Sequence, residues 1–182
     1  LNTHDVIRID FSRMPRNCNS YDKYIERIER ILIQDLMEAY PKADIQEEDA
    51  VWDSLDLVYE RYGCQRFIFV FDEWDCIFHK DFITDEDKKK YISFLSSLLK
   101  DKAYVLLSYM TGILPIAKYS SGSELNMFAE YTMVSEEKFS DAFGFTETEV
   151  DMLYARFLKN TLDSSIVKLT NYRSVWGYIH KN

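Results

Sequence analysis

Apolar positions along the chain follow two rhythms, one helical and one extended. Tyr21, Tyr24, Ile25, Ile28, Ile31, Leu32 and Leu36 recur at helical spacing. They predict an amphipathic helix over about residues 21–40, with Ser20 as its N-cap and Pro41 as its stop. Val51, Trp52, Leu55, Val58, Tyr59 and Tyr62 predict a second helix over about 48–62, with Gly63 at its C-terminal cap. Tyr91, Ile92, Leu95, Leu98 and Leu99 stripe a third, over about 85–100, which opens on Thr84 and Asp87 as a capping box. A fourth opens on the T-x-x-E of Thr146 and Glu149 and runs through about Leu158.

Short apolar runs lie between these helices. Strands are predicted over residues 5–12, 66–72 and 103–108, with a further short one near 131–134. In the run R-F-I-F-V-F-D the apolar residues do not alternate with polar ones. Both faces of that strand should therefore be covered, as in the centre of a parallel sheet. Strands alternating with helices predict an α/β fold, a three-layer α/β/α sandwich with a parallel sheet. Residues 1–140 form its core, and residues 141–182 a helical region that follows.

Composition narrows the function classes. With 47% hydrophobic and 15% aromatic residues, the 182-residue chain can build a real core and is not a disordered tail. Its 22 Lys+Arg against 31 Asp+Glu give a net charge of −9, which argues against broad binding to a phosphate backbone. Lys88, Lys89 and Lys90 follow Asp85, Glu86 and Asp87 and read as a solvated helix face. No nucleic-acid partner is indicated. The longest apolar run, residues 67–71, is far short of the ~18 residues that span a bilayer. No membrane association and a cytoplasmic location are expected. Cys18, Cys64 and Cys76 are odd in number and contain no C-x-x-C, as expected for reduced thiols. Cys76 and His79 have the spacing of a metal-ligand pair, but a structural zinc site needs a second pair and none is present. The chain starts at Leu1 rather than Met, so either a processed N-terminus or a start inside a longer protein is expected.

The candidate chemistry sits at the end of the strongest strand, where F-I-F-V-F runs into Asp72-Glu73-Trp74-Asp75. A parallel strand delivers its last residue to the carboxyl edge of the sheet, where α/β proteins bind ligands. Asp72 there suits Mg²⁺, which prefers oxygen ligands and keeps part of its water. Glu73 suits orientation or deprotonation of a water that attacks a γ-phosphate. This is the Walker B arrangement of P-loop NTPases. The bland alternative is a strand that ends on acidic residues because it ends at solvent. A metal nuclease using Asp72, Glu73 and Asp75 is a third reading, and Trp74 is expected to pack beside the site or in the core. The next strand ends in Ser108-Tyr109-Met110-Thr111-Gly112, where Thr111 or Ser108 is placed to touch a γ-phosphate or its water.

As a set, the segments V-I-R-I-D-F-S (6–12), F-I-F-V-F-D-E-W-D-C-I-F (67–78), M-T-G-I-L-P-I (110–116) and F-G-F-T-E-T-E-V (143–150) resemble the bacterial predicted AAA-ATPase-like family. The resemblance covers most of residues 5–158. It implies a P-loop NTPase-like core with a helical region behind it, ATP and Mg²⁺ bound by the intact protein, Asp72 on the metal, Glu73 activating water and Thr111 as the sensor-like contact. Two features depart from the family. No G-x-x-x-x-G-K-[ST] phosphate loop can be written among Gly63, Gly112, Gly122, Gly144 and Gly177. In the family that loop and its strand lie upstream, the strand near the middle of the sheet, beside the Walker B and sensor strands. The family's W-Y-D-G-Y segment is also missing between Asn160 and Asn171. The chain alone is therefore expected not to hydrolyse ATP. A protein partner or a homo-oligomer is left open; Arg156 and Arg173 lie in the region where a helical lid would supply an arginine finger, but surface charge is the simpler reading of each. The alternative function is a non-enzymatic scaffold that keeps the fold and binds another protein through its sheet edge and tyrosine-rich helices.

Overall fold

A computed structural model describes residues 4–116, 119, 124–131 and 145–161, the last four of these without side chains. The chain divides into two compact units, Leu1–Glu130 and Tyr131–Asn182. In the first unit, three parallel strands lie in the order β1 (Asp5–Asp10), β2 (Phe67–Asp72), β3 (Val105–Met110). Helices α1 (Tyr21–Ala39) and α2 (Val51–Arg61) connect β1 to β2, and α3 (Asp85–Leu99) connects β2 to β3. The α/β expectation is met. Strand β2 is bonded on both sides, to β1 and to β3. Any further strand of this sheet thus has room only outside β1 or β3.

The core forms on one face of the sheet. Phe67, Phe69 and Phe71 are buried, while Ile68, Val70 and Asp72 between them are half-buried. The three phenylalanines join the buried residues of α1, α2 and α3 in one apolar cluster. Each such side chain contributes roughly 1.5–3 kcal/mol relative to exposure. Edge-to-face contacts link Phe11 to Phe71 and to Tyr91, at 5.4 and 5.6 Å between ring centroids. Val6, Leu107 and Tyr109 lie on the opposite face and stay about half exposed.

Local signals explain where the helices begin and end. The Ser20 side chain accepts from the Lys23 N–H and starts α1. Of its predicted stripe Ile31 is only half-buried, and Ile33 is buried instead. Helix α2 begins three residues later than predicted. Asp49 Oδ2 accepts from the Gln46 N–H at 2.8 Å and holds residues 46–49 in a turn. At its other end Gly63 takes φ +68°, and the Cys64 N–H bonds back to Tyr59 O at 2.9 Å, closing a Schellman-type cap. Thr84 and Asp87 make both bonds of the capping box on α3. Lys88 and Lys90 pair along that helix with Asp85 and Glu86, at 2.8 and 3.5 Å.

Strand β3 starts and ends two residues later than predicted. Tyr104 is pulled into the core, where its hydroxyl donates to Leu98 O at 2.7 Å, and the strand proper begins after it. A bulge between Val105 and Leu107 then carries pairing through to Met110. In the second unit, α4 (Glu147–Thr161) opens on the predicted capping box, with Glu149 Oε2 accepting from the Thr146 N–H at 2.8 Å. Residues 132–134 of the predicted short strand, the segment after residue 161, and Arg173 lie outside the described residues. Among the described residues, no helix is long and apolar enough to cross a membrane.

Candidate functional site

The carboxyl edge of the sheet gathers the ends of all three strands. Asp10 and Asp72 are register partners, so two carboxylates leave adjacent strands side by side. Asp10 is engaged locally. Its Oδ1 accepts from the Ser12 hydroxyl at 2.6 Å and from the Ser12 N–H at 3.0 Å, and its Oδ2 accepts from Arg13 Nε at 2.9 Å. The Ser12 hydroxyl, above all, holds the carboxyl below the usual carboxylate range.

Asp72 is half-buried. Its Oδ1 accepts a short hydrogen bond from the Thr111 hydroxyl, 39 residues away, and its Oδ2 lies 4.0 Å from the exposed Arg8 guanidinium. The backbone reinforces this contact, since the Thr111 N–H donates to Phe71 O at 2.8 Å and the Trp74 N–H to Thr111 O at 3.0 Å. Asp72 and Thr111, each a candidate from the sequence for a different role, are thus joined by a direct bond. Ser108, the other candidate there, pairs with Phe69 on the core side of the sheet, and its buried Oγ has no hydrogen-bond partner among the described residues. It does not reach Asp72.

The three acidic residues at the end of β2, Asp72, Glu73 and Asp75, diverge. Glu73 is exposed and sits in the left-handed region at φ +53°. That conformation costs an L-residue roughly 1–2 kcal/mol. It turns the chain sharply, so Glu73 and Asp72 do not continue the strand's alternation. Trp74 is in the core, 2% exposed, with its carbonyl accepting from the Tyr91 hydroxyl at 2.7 Å. Asp75 is 1% exposed and turned away from solvent. Its Oδ2 accepts from the N–H groups of Ile113 and Leu114, at 3.0 and 2.8 Å, and lies 3.9 Å from His79 Nε2. The Cys76 thiol donates to Phe11 O at 3.0 Å, and burial pushes its pKa up. Among the described residues, no three His, Cys, Asp or Glu side chains converge as a metal-binding group.

One half-exposed carboxylate next to a hydroxyl, at the end of a parallel strand, fits Mg²⁺ that keeps most of its own water. It does not fit a closed cage. Asp10 and Gly112 were not singled out as site-edge residues from the sequence, and Asp75 entered only in the metal-nuclease reading. A signal existed for the first, because β1 also ends on Asp and is followed by Ser12. Arg156, on α4, is exposed. No family model, no curated protein and no solved structure matches the chain.

Proposed function

We propose that this chain is the Walker B and sensor portion of an ATP- and Mg²⁺-binding protein of the AAA-ATPase-like kind, with a P-loop NTPase-like, three-layer core in the intact protein. The bond between the Thr111 hydroxyl and Asp72 Oδ1 is the observation that carries this assignment. It joins the two strand ends that such a site uses. Asp72 is the metal-side carboxylate. Mg²⁺, when bound, neutralises charge on the β- and γ-phosphates. Thr111 orients the Asp72 carboxylate and presents its hydroxyl oxygen toward the phosphate side. Glu73, outside the strand and open to solvent, accepts a proton from the attacking water at its carboxylate. The phosphate cradle comes from outside these 182 residues, so hydrolysis belongs to the intact protein.

Substitution of Asp72 by Asn in the intact protein tests the metal role. Turnover should fall at least about tenfold, with a higher Mg²⁺ requirement. An unchanged Mg²⁺ dependence would remove Asp72 from the site.

A second reading, a non-enzymatic scaffold, is favoured by β3, whose Leu106, Leu107 and Tyr109 are 41%, 56% and 48% exposed. Apolar strands left open in this way invite a partner. The tyrosines of α1 and α3 do not add to such a surface, because Tyr21, Tyr24 and Tyr91 are buried.

A further inference from the structure

Asp75 and Ser54 are the buried polar residues among those described, and Asp75 is the charged one. A buried carboxylate is costly unless it is hydrogen-bonded. Asp75 spends one oxygen on the loop after β3. Its Oδ2 takes the N–H groups of Ile113 and Leu114, while its Oδ1 has no hydrogen-bond partner among the described residues. Both bonds fall two and three residues after Thr111. Between them and Thr111 lies Gly112, packed directly on the same turn. A Cβ there would meet Trp74 Cδ1, and would lie 2.5 Å from Asp75 Oδ1 and 2.6 Å from Trp74 Nε1. At such separations the loop, the Trp74 ring or the Asp75 carboxylate must shift. The loop is therefore seated on the Trp74–Asp75 turn by a carboxylate from below and by the absence of a side chain at residue 112.

We propose that Asp75 is a positioning residue for the site, acting through Thr111. By anchoring Ile113 and Leu114 it holds the Thr111 hydroxyl on Asp72, and Gly112 provides the close approach that lets it do so. In its functional consequence the proposal rests on the nucleotide assignment above. Its structural content is independent of nucleotide. Neither Asp75 nor Gly112 needs to touch substrate. Their effect is confined to the rotamer and placement of Thr111, and through it to the orientation of the Asp72 carboxylate.

The experiment is NMR on the 182-residue chain, comparing wild type with Asp75→Ala, the isosteric Asp75→Asn, and Gly112→Ala. Three-bond couplings report the Thr111 χ1 rotamer, and amide exchange reports Ile113 and Leu114. Asp75→Ala should speed exchange of these two amides roughly 10- to 100-fold relative to the amides of β2, and Thr111 should average over rotamers. Asp75→Asn keeps an acceptor and should restore most of that protection. Should the alanine variant fail to fold, Gly112→Ala carries the test. It retains the Asp75 side chain but crowds the seat of the loop, and should still release Thr111. A single Thr111 rotamer and unchanged exchange in Gly112→Ala and in the folded Asp75 variants would overturn the proposal.

In the intact protein, Asp75→Ala or Gly112→Ala should lower kcat for ATP hydrolysis with KM unchanged, and should add nothing in a Thr111→Val background. A further loss in that background would overturn action through Thr111. If Thr111 is released as expected while Glu73→Gln leaves turnover intact, the interlock stands and the nucleotide assignment fails.

Discussion

Replacing Tyr91 by Phe removes one atom from the centre of the first unit and tests how the site turn is held. Tyr91 is fully buried, and its hydroxyl donates to Trp74 O at 2.7 Å, inside the turn that leaves β2. The ring's own packing on Phe11 and Phe78 survives the change. The loss is therefore the hydrogen bond, together with the cost of leaving the Trp74 carbonyl without its donor. An average hydrogen bond is worth about 1 kcal/mol, and a buried acceptor left unpaired costs roughly 1–3 kcal/mol. We expect stability to fall by about 1–3 kcal/mol, against roughly 3–5 kcal/mol for removing a whole aromatic ring by Tyr91→Ala. Urea unfolding followed by tryptophan fluorescence measures it, with an unchanged m-value as the sign that stability alone has altered. Burial holds the Tyr91 phenol well above its usual pKa, so the donor is present throughout neutral pH and the loss should be equal at pH 6 and pH 8. A loss below about 0.5 kcal/mol, the range of surface changes, would refute the reasoning.

The buried tyrosines predict alkaline sensitivity. Burial raises the phenols of Tyr21, Tyr24, Tyr91 and Tyr104 above their unfolded pKa, which is about 10. Their contribution is fully present below that value, and each is lost at about 1.4 kcal/mol per pH unit above it. Urea midpoints between pH 8 and 11 should stay level and then fall steeply, whereas a flat profile to pH 11 would contradict this burial. Thr84→Ala removes the capping box of α3 and should cost about 0.5–2 kcal/mol by the same unfolding assay.

Much of this structure was legible where local chemistry decides the outcome. Ser20, Gly63, Thr84 with Asp87, and Thr146 with Glu149 mark helix ends because each satisfies backbone groups within a few residues. The unbroken run F-I-F-V-F marked the strand bonded on both sides, but its second face is not covered as expected: Ile68 and Val70 are half-buried beside the exposed Val6, Leu107 and Tyr109. Long-range geometry was less legible. Asp72, Glu73 and Asp75 were weighed together as an acidic set, and the left-handed Glu73 and the inward turn of Asp75 scatter them. The buried place of Asp75 was not legible, because the Ile113 and Leu114 N–H groups that hold it come from a different strand's exit. Ser108 read as a site residue because β3 was expected to end there. Tyr104 delays the strand by packing inward, which moves its end to Met110 and Thr111 to the edge beside Asp72.

The most direct measurement is ATP hydrolysis by the intact protein with Glu73→Gln. This change keeps size and hydrogen-bonding capacity while removing the carboxylate that accepts the proton. The account predicts a fall in kcat of about 10²–10⁴, with KM for ATP and the fold unchanged. Turnover equal to wild type would contradict the role of Glu73, and with it the assignment of this sheet edge as a nucleotide-hydrolysing site.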